Sequence, residues 1–168
     1  VIGIIILPNL SRYVKSENKV KLEILQNKSL ELSLFLSLPA TLALIIASEE
    51  IVSALFGYGS FNEESVKNSA LALFYFALGL PAFSLIKIFS SFIFARNDTK
   101  TPFYFSLVSV ILNIVISVSL FSKLGFIIIP IATTISSWLN GFLLMAFVLN
   151  KNYFNFNKSF FTQLFKIF

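Results

Sequence analysis

The sequence predicts an all-α integral membrane protein, a polytopic helix bundle. Three observations carry that reading. Of 168 residues, 57% are hydrophobic and only 12% charged, where soluble domains average about 25% charged. Mean hydropathy is +0.85, too apolar for a disordered chain and too poor in polar side chains to cover a soluble surface. Finally, four segments each hold the roughly 20 mostly apolar residues needed to cross a hydrocarbon core of ~30 Å.

The elements follow in order. The apolar run from Val1 to Pro8 is too short to span a bilayer and reads as the end of a membrane helix. Residues 9–28 are polar and partly amphipathic, as expected of a cytoplasmic helix. The first span covers 30–56 and contains Pro39. Gly57-Tyr58-Gly59 closes it with a turn, because Gly tolerates positive φ at a helix end. Asn62-Glu63-Glu64 reads as a helix start, with Asn capping and the acids near the positive dipole end; a short interfacial helix is expected there. The second span covers 69–95, the third 103–122 and the fourth 124–150. Lys123-Leu124-Gly125 is a tight turn, which makes the last two an antiparallel hairpin. Residues 151–168 read as a cytoplasmic linker and the start of a further helix. The chain starts at Val1 and stops inside an apolar stretch, so it reads as a piece of a larger protein.

Charge orients the spans. Net charge is +5. Arg12, Lys15, Lys19, Lys21 and Lys28 precede the first span, and Lys67 alone lies in the next loop. Arg96 and Lys100 follow the second span, Lys123 the third, and Lys151, Lys158 and Lys166 the fourth. The alternation puts the first, third and fifth loops in the cytoplasm. No dense basic patch forms, which argues against nucleic acid as a partner. With no Cys and no His, thiol chemistry and the commonest general base are missing. No Gly-rich phosphate loop appears. The expectation is a protein that is not an enzyme and uses no cofactor.

Polar residues inside the spans are the candidate functional groups. Lys87 is a charge well inside the second span; it either snorkels to lipid headgroups or faces a wet cavity and attracts an anionic substrate. Gly79 and Pro81 are hinge candidates, since Pro removes a backbone hydrogen bond and bends a helix. Asn113 and Ser117 share one helix face, and Thr133, Ser137 and Asn140 recur at helical spacing. Such groups usually hydrogen-bond between packed helices. Asn113, Ser117 and Thr133 are also the candidates for a weak cation site, although no acid joins them.

Several stretches carry a resemblance to a known family. Leu7-Pro8-Asn9-Leu10-Ser11-Arg12 resembles the "LPxLSR" signature of the MurJ/MviN lipid II flippases. Leu38-Pro39-Ala40, Leu55-Phe56-Gly57-Tyr58-Gly59-Ser60-Phe61 and Ala77-Leu78-Gly79-Leu80-Pro81 with Lys87 resemble that family's "LPA", "LFxxGxF" and "ALGLPxxxxxK". Phe94-Ala95-Arg96-Asn97-Asp98-Thr99-Lys100-Thr101-Pro102 resembles its "FYARxDTxTP". The resemblance implies that residues 1–150 form part of the second lobe of a MATE-like transporter in the bacterial inner membrane. It also implies that Pro8, Ser11, Arg12, Arg96, Asp98, Thr101 and Pro102 are cytoplasmic-loop motif residues. Lipid II is the implied cargo, with membrane lipids and other cell-wall synthesis proteins as partners. Asn113 and Thr133 match two positions of a cation site described in some members, and Ser117 stands where an acid is expected. The competing readings are a related exporter of drugs or polyprenyl-linked saccharides, and a non-transporting membrane scaffold of the same fold.

Overall fold

The computed structural model describes residues 2–59 and 61–155. Within them the chain forms α1 (Ile2–Lys15), α2 (Lys19–Ile46), α3 (Ser48–Phe56), α4 (Glu63–Phe94), α5 (Lys100–Leu124), a 3₁₀ turn (Gly125–Ile127) and α6 (Ile128–Asn150). Among the described residues three helical stretches are long and apolar enough to cross a membrane: Lys19–Ile46, Glu63–Phe94 and Lys100–Asn150. The last is 51 residues long and doubles back at Gly125 into α5 and α6. Gly125 has φ +61° and ψ −147°, a conformation open essentially only to Gly.

Side-chain pairs define the packing. Along α5 and α6, Phe105 meets Phe147, Ser106 meets Asn140, and Asn113 meets Thr133. Rising numbers on one helix oppose falling numbers on the other, so the hairpin is antiparallel. Tyr75 meets Thr134 and Leu78 meets Trp138, so α4 and α6 run parallel. The main apolar core sits where α1, α2, α4 and α6 converge, around Leu10, Leu30, Phe89, Phe92, Leu144 and Phe154. A smaller one lies at the other end of α4, around Val52, Val66 and Ala70.

The structure departs from the expected elements in four places. The polar stretch 9–28 is not one helix. A turn at 16–18, with Glu17 at φ +53°, divides it between α1 and α2. The Asn18 side chain accepts from Lys21 N, so a cap absent from the sequence reading starts α2 there. The expected first span is broken at Ala47 (φ −105°, ψ 23°), and 48–56 becomes the separate α3. The short interfacial helix after Asn62 is instead the first two turns of α4. Asn62 does cap it, accepting from Ser65 N at 2.8 Å, but no Gly or Pro follows to stop the helix before the membrane segment. Finally, Pro8, Ser11 and Arg12 lie within α1, and Thr101 and Pro102 within the first turn of α5, rather than in loops. The expected helix after the linker falls on 156–168, outside the described residues.

Candidate functional site

Three clefts collect the polar groups. The first lies between α4, α5 and α6, a cleft of ≈ 350 Å³ lined by Phe83, Ile86, Ser106, Ser109, Val110, Asn113, Thr133, Ser136, Ser137 and Asn140. Asn113 Nδ2 donates to Thr133 Oγ1 at 3.1 Å and to Ser136 Oγ at 3.3 Å. Asn140 Nδ2 donates to Ser106 Oγ at 3.4 Å, while Asn140 Oδ1 is buried with no partner. The hydroxyls of Thr133, Ser136 and Ser137 each donate back to carbonyls of their own helix. Such a cleft can order water, which needs several polar partners. It is a poor cage for a cation: the amide of Asn113 presents its nitrogen to Thr133, and no carboxylate is present. Among the described residues no group of three or more His, Cys, Asp or Glu side chains stands together to hold a metal.

The second cleft lies at the end where the first, third and fifth loops meet, ≈ 580 Å³ in volume and bordered by Glu17, Lys19, Glu23, Gln26, Arg96 and Lys151 among others. The chain after α6 is fastened here. Phe154, 1% exposed, stacks on Phe92 with ring centroids 5.5 Å apart. The Tyr153 carbonyl accepts from Gln26 Nε2 at 3.0 Å and from Arg96 Nη2 at 2.9 Å. Arg96 Nη1 donates to Phe92 O at 2.7 Å, and the guanidinium lies 4.2 Å from the Tyr153 ring centre. Burial pulls the Arg96 pKa below its usual value, partly offset by Tyr153. Gln26 is fully buried, and its Oε1 has no partner. Asp98 starts α5: Oδ1 accepts from the backbone N–H of Lys100 and Thr101, and Oδ2 from the Thr101 hydroxyl at 2.6 Å. The Thr101 hydroxyl, then its N–H, hold the Asp98 pKa below the usual carboxylate range.

The third cleft, ≈ 650 Å³, lies at the opposite end, where Glu49, Glu50 and Glu63 face Ser53, Phe61 and Lys67. The basic loops thus gather at one end and the acidic ones at the other, which is the separation expected of a membrane-spanning bundle.

The predicted site residues divide accordingly. Asn113 and Thr133 are brought into hydrogen-bond contact. Ser117 is not part of their cleft, and its hydroxyl is buried without a partner. Lys87 is exposed on α4 and does not line the α4–α5–α6 cleft. Gly79 and Pro81 are buried, and α4 runs through both. Arg96 and Asp98 occupy the α4–α5 turn, and Thr101 and Pro102 the first turn of α5. The sequence reading missed Gln26 and the Ser29–Ser33–Ser37–Thr41 row buried along α2. The spacing of four marks one helix face, and small polar residues at that spacing are the usual signal of a close helix contact. Nothing local marks Gln26, whose bond to Tyr153 spans 127 positions.

Long apolar helices, polar clefts between them and charge of opposite sign at the two ends define a polytopic membrane protein. Its helical architecture has a counterpart among solved structures. A solved structure described as "Lipid II flippase MurJ, inward closed conformation" superposes with a TM-score of 0.80 over 99% of this chain and 33% of its own, at 23% identity. The sequence matches the family profile "Lipid II flippase MurJ" over residues 1–168. The "Probable lipid II flippase MurJ" of Rhizobium meliloti (strain 1021) is 41% identical over 145 residues, 86% of this chain and 27% of that protein. The protein of the same name from Rickettsia prowazekii (strain Madrid E) is 39% identical over 143 residues, 85% of this chain and 28% of that one. The chain belongs to the lipid II flippase MurJ family. It spans about a quarter of the length of these curated relatives.

Proposed function

We propose that the protein containing this segment moves lipid II across the bacterial inner membrane by alternating access, with residues 1–150 supplying part of the second lobe. The observation that carries this is the family match along the entire chain, on a bundle whose polar groups collect in clefts between apolar helices. Lipid II joins an anionic pyrophosphate headgroup to a polyprenyl tail. Carrying such a charge through hydrocarbon unaided is prohibitive. A cavity between two lobes would screen the headgroup while the tail stays in lipid, opening to each side in turn.

Within that scheme Lys87 supplies positive charge to the cavity. Its exposure on α4 leaves it free to face a neighbouring part of the intact protein. Asn113, Thr133 and Ser136 hold α5 to α6 rather than binding an ion, and the motif residues Arg96, Asp98 and Thr101 build the cytoplasmic turn. The test is complementation in cells depleted of their own flippase, with outer-leaflet lipid II as readout. The intact gene should restore growth and lipid II exposure. Lys87→Arg should retain activity, and Lys87→Glu should lower it at least tenfold. Full activity in both Lys87→Ala and Lys87→Glu removes the role given to Lys87. Failure of the intact gene to restore lipid II exposure favours the exporter or scaffold readings.

A further inference from the structure

Pro81 has no amide hydrogen, so the α4 ladder lacks the bond that would reach back to Ala77 O, and the ring crowds that carbonyl. In most helices such a site bends or flexes. Here the turn just before the proline is gripped by another helix. Thr134 and Trp138 lie one turn apart on α6. Thr134 Oγ1 donates to Tyr75 O at 2.6 Å, and Trp138 Nε1 donates to Leu78 O at 3.1 Å. Both acceptors are backbone carbonyls. A side chain can lose its partner by rotating, whereas a backbone carbonyl moves only with the helix that carries it.

The steric picture agrees. Directly after the second acceptor sits Gly79, where a Cβ would come within 3.2 Å of Thr134 Oγ1 and 3.1 Å of Phe83 Cε2. Beyond the proline, a Cβ at Gly141 would stand 3.8 Å from Ala82 O and 4.0 Å from Leu85 Cβ. So α6 follows α4 on both sides of the break, side by side and parallel.

We infer that Thr134 and Trp138 are positioning residues that splint α4 at Pro81, so that α4 and α6 move as one body and the bend is held rather than hinged. The inference does not depend on which cargo the protein carries. It assigns a purpose to the Gly79–Pro81 pair different from flexing, and it assigns one to two α6 residues whose bonds to α4 no sequence pattern reveals.

The test uses the intact protein in lipid nanodiscs, spin-labelled at Leu71→Cys and Phe94→Cys. Both sites are exposed and lie on either side of Pro81. At 1.5 Å per residue their separation is roughly 35 Å, within range of pulsed electron resonance. The parent should give one narrow distance distribution. Thr134→Val, nearly isosteric, with Trp138→Phe, which keeps an aromatic ring, removes both donors and should at least double the width. Thr134→Ser keeps the hydroxyl and should leave the width unchanged. In a Pro81→Ala background the ladder is restored, and removing the two donors should no longer broaden the distribution. An unchanged width after loss of both donors overturns the inference, as does broadening that persists undiminished in Pro81→Ala. If the double variant fails to fold, Thr134→Val and Trp138→Phe are read singly, and two unchanged widths overturn it equally.

Discussion

The fastening of the chain after α6 rests on individual residues, and Gln26 shows how a buried polar group cuts both ways. Its Nε2 bonds Tyr153 O while its Oε1 stays unpartnered. An orphaned buried acceptor costs about 1–3 kcal/mol, and one neutral hydrogen bond contributes a net ~0.5–1.5 kcal/mol. Tyr153 O keeps its bond from Arg96 when Gln26 is gone. Gln26→Met, close in shape, should therefore be neutral or raise the melting temperature, which thermal denaturation in detergent will show. Arg96→Lys should do the opposite. A lysine cannot reach Phe92 O and Tyr153 O together or stack its plane on the Tyr153 ring. A loss of about 1–2 kcal/mol is expected, seen as a lower melting temperature and faster proteolysis after Asn150. Asp98 gives a pH signature. Its folded pKa is lowered, so its contribution is complete above the ordinary carboxylate range and is lost as pH falls through the folded value. Asp98→Ala should cost about 1 kcal/mol at neutral pH, as loss of a helix cap does. The gap between it and the parent should close on acidification below about pH 4.

At the scale of elements, the α5–α6 hairpin and the α4–α6 pair are held by different physics. The hairpin turns on one backbone conformation. A Cβ on Gly125 would meet nothing within 4 Å, so any cost of Gly125→Ala is purely conformational, about 1–3 kcal/mol for a residue forced into so sparsely populated a region. Gly79→Ala is instead a packing change against Phe83 and Thr134. A melting series should separate the two: the Gly79→Ala loss should shrink when Thr134 is also cut to Ala, and the Gly125→Ala loss should not. Most of this layer was legible in the sequence. Apolar length marks α4, α5 and α6, and Gly125 and Asn62 mark a turn and a cap. The break at Ala47 was missed although Ser48-Glu49-Glu50 puts two acids in the first turn of α3 as Glu63-Glu64 do in α4, because no Gly or Pro marks it and the segments on either side are apolar. The polar faces of α5 and α6 were also legible from spacing. Which atoms meet was not, so Asn113 and Thr133 came together as read, while Ser117, on the same face, ended outside the cleft. Helical spacing fixes a face, but crossing angle and depth decide who meets whom.

The whole molecule is polarised. Arg12, Lys19, Arg96, Lys100 and Lys151 fall at or next to one end, and Glu49, Glu50, Glu63 and Glu64 at the other. This polarity depends on every turn of the chain being counted correctly, since losing one crossing would send two basic loops to the acidic end. The positive-inside rule then predicts that the basic end faces the cytoplasm. The chain has no cysteine, so single cysteines placed in it report their own location, once any elsewhere in the intact protein are replaced. Tyr58→Cys and Glu63→Cys should react with a membrane-impermeant maleimide in intact spheroplasts. Lys15→Cys, Lys100→Cys and Lys151→Cys should react only after permeabilisation. All five positions are exposed on this segment, and labelling of each cysteine after denaturation in detergent separates protection by the membrane from burial in the intact protein. Labelling of Lys100→Cys from outside would put the α4–α5 turn on the wrong side. It would leave Arg96 and Asp98 building an external turn and would overturn the orientation on which the proposed headgroup path rests.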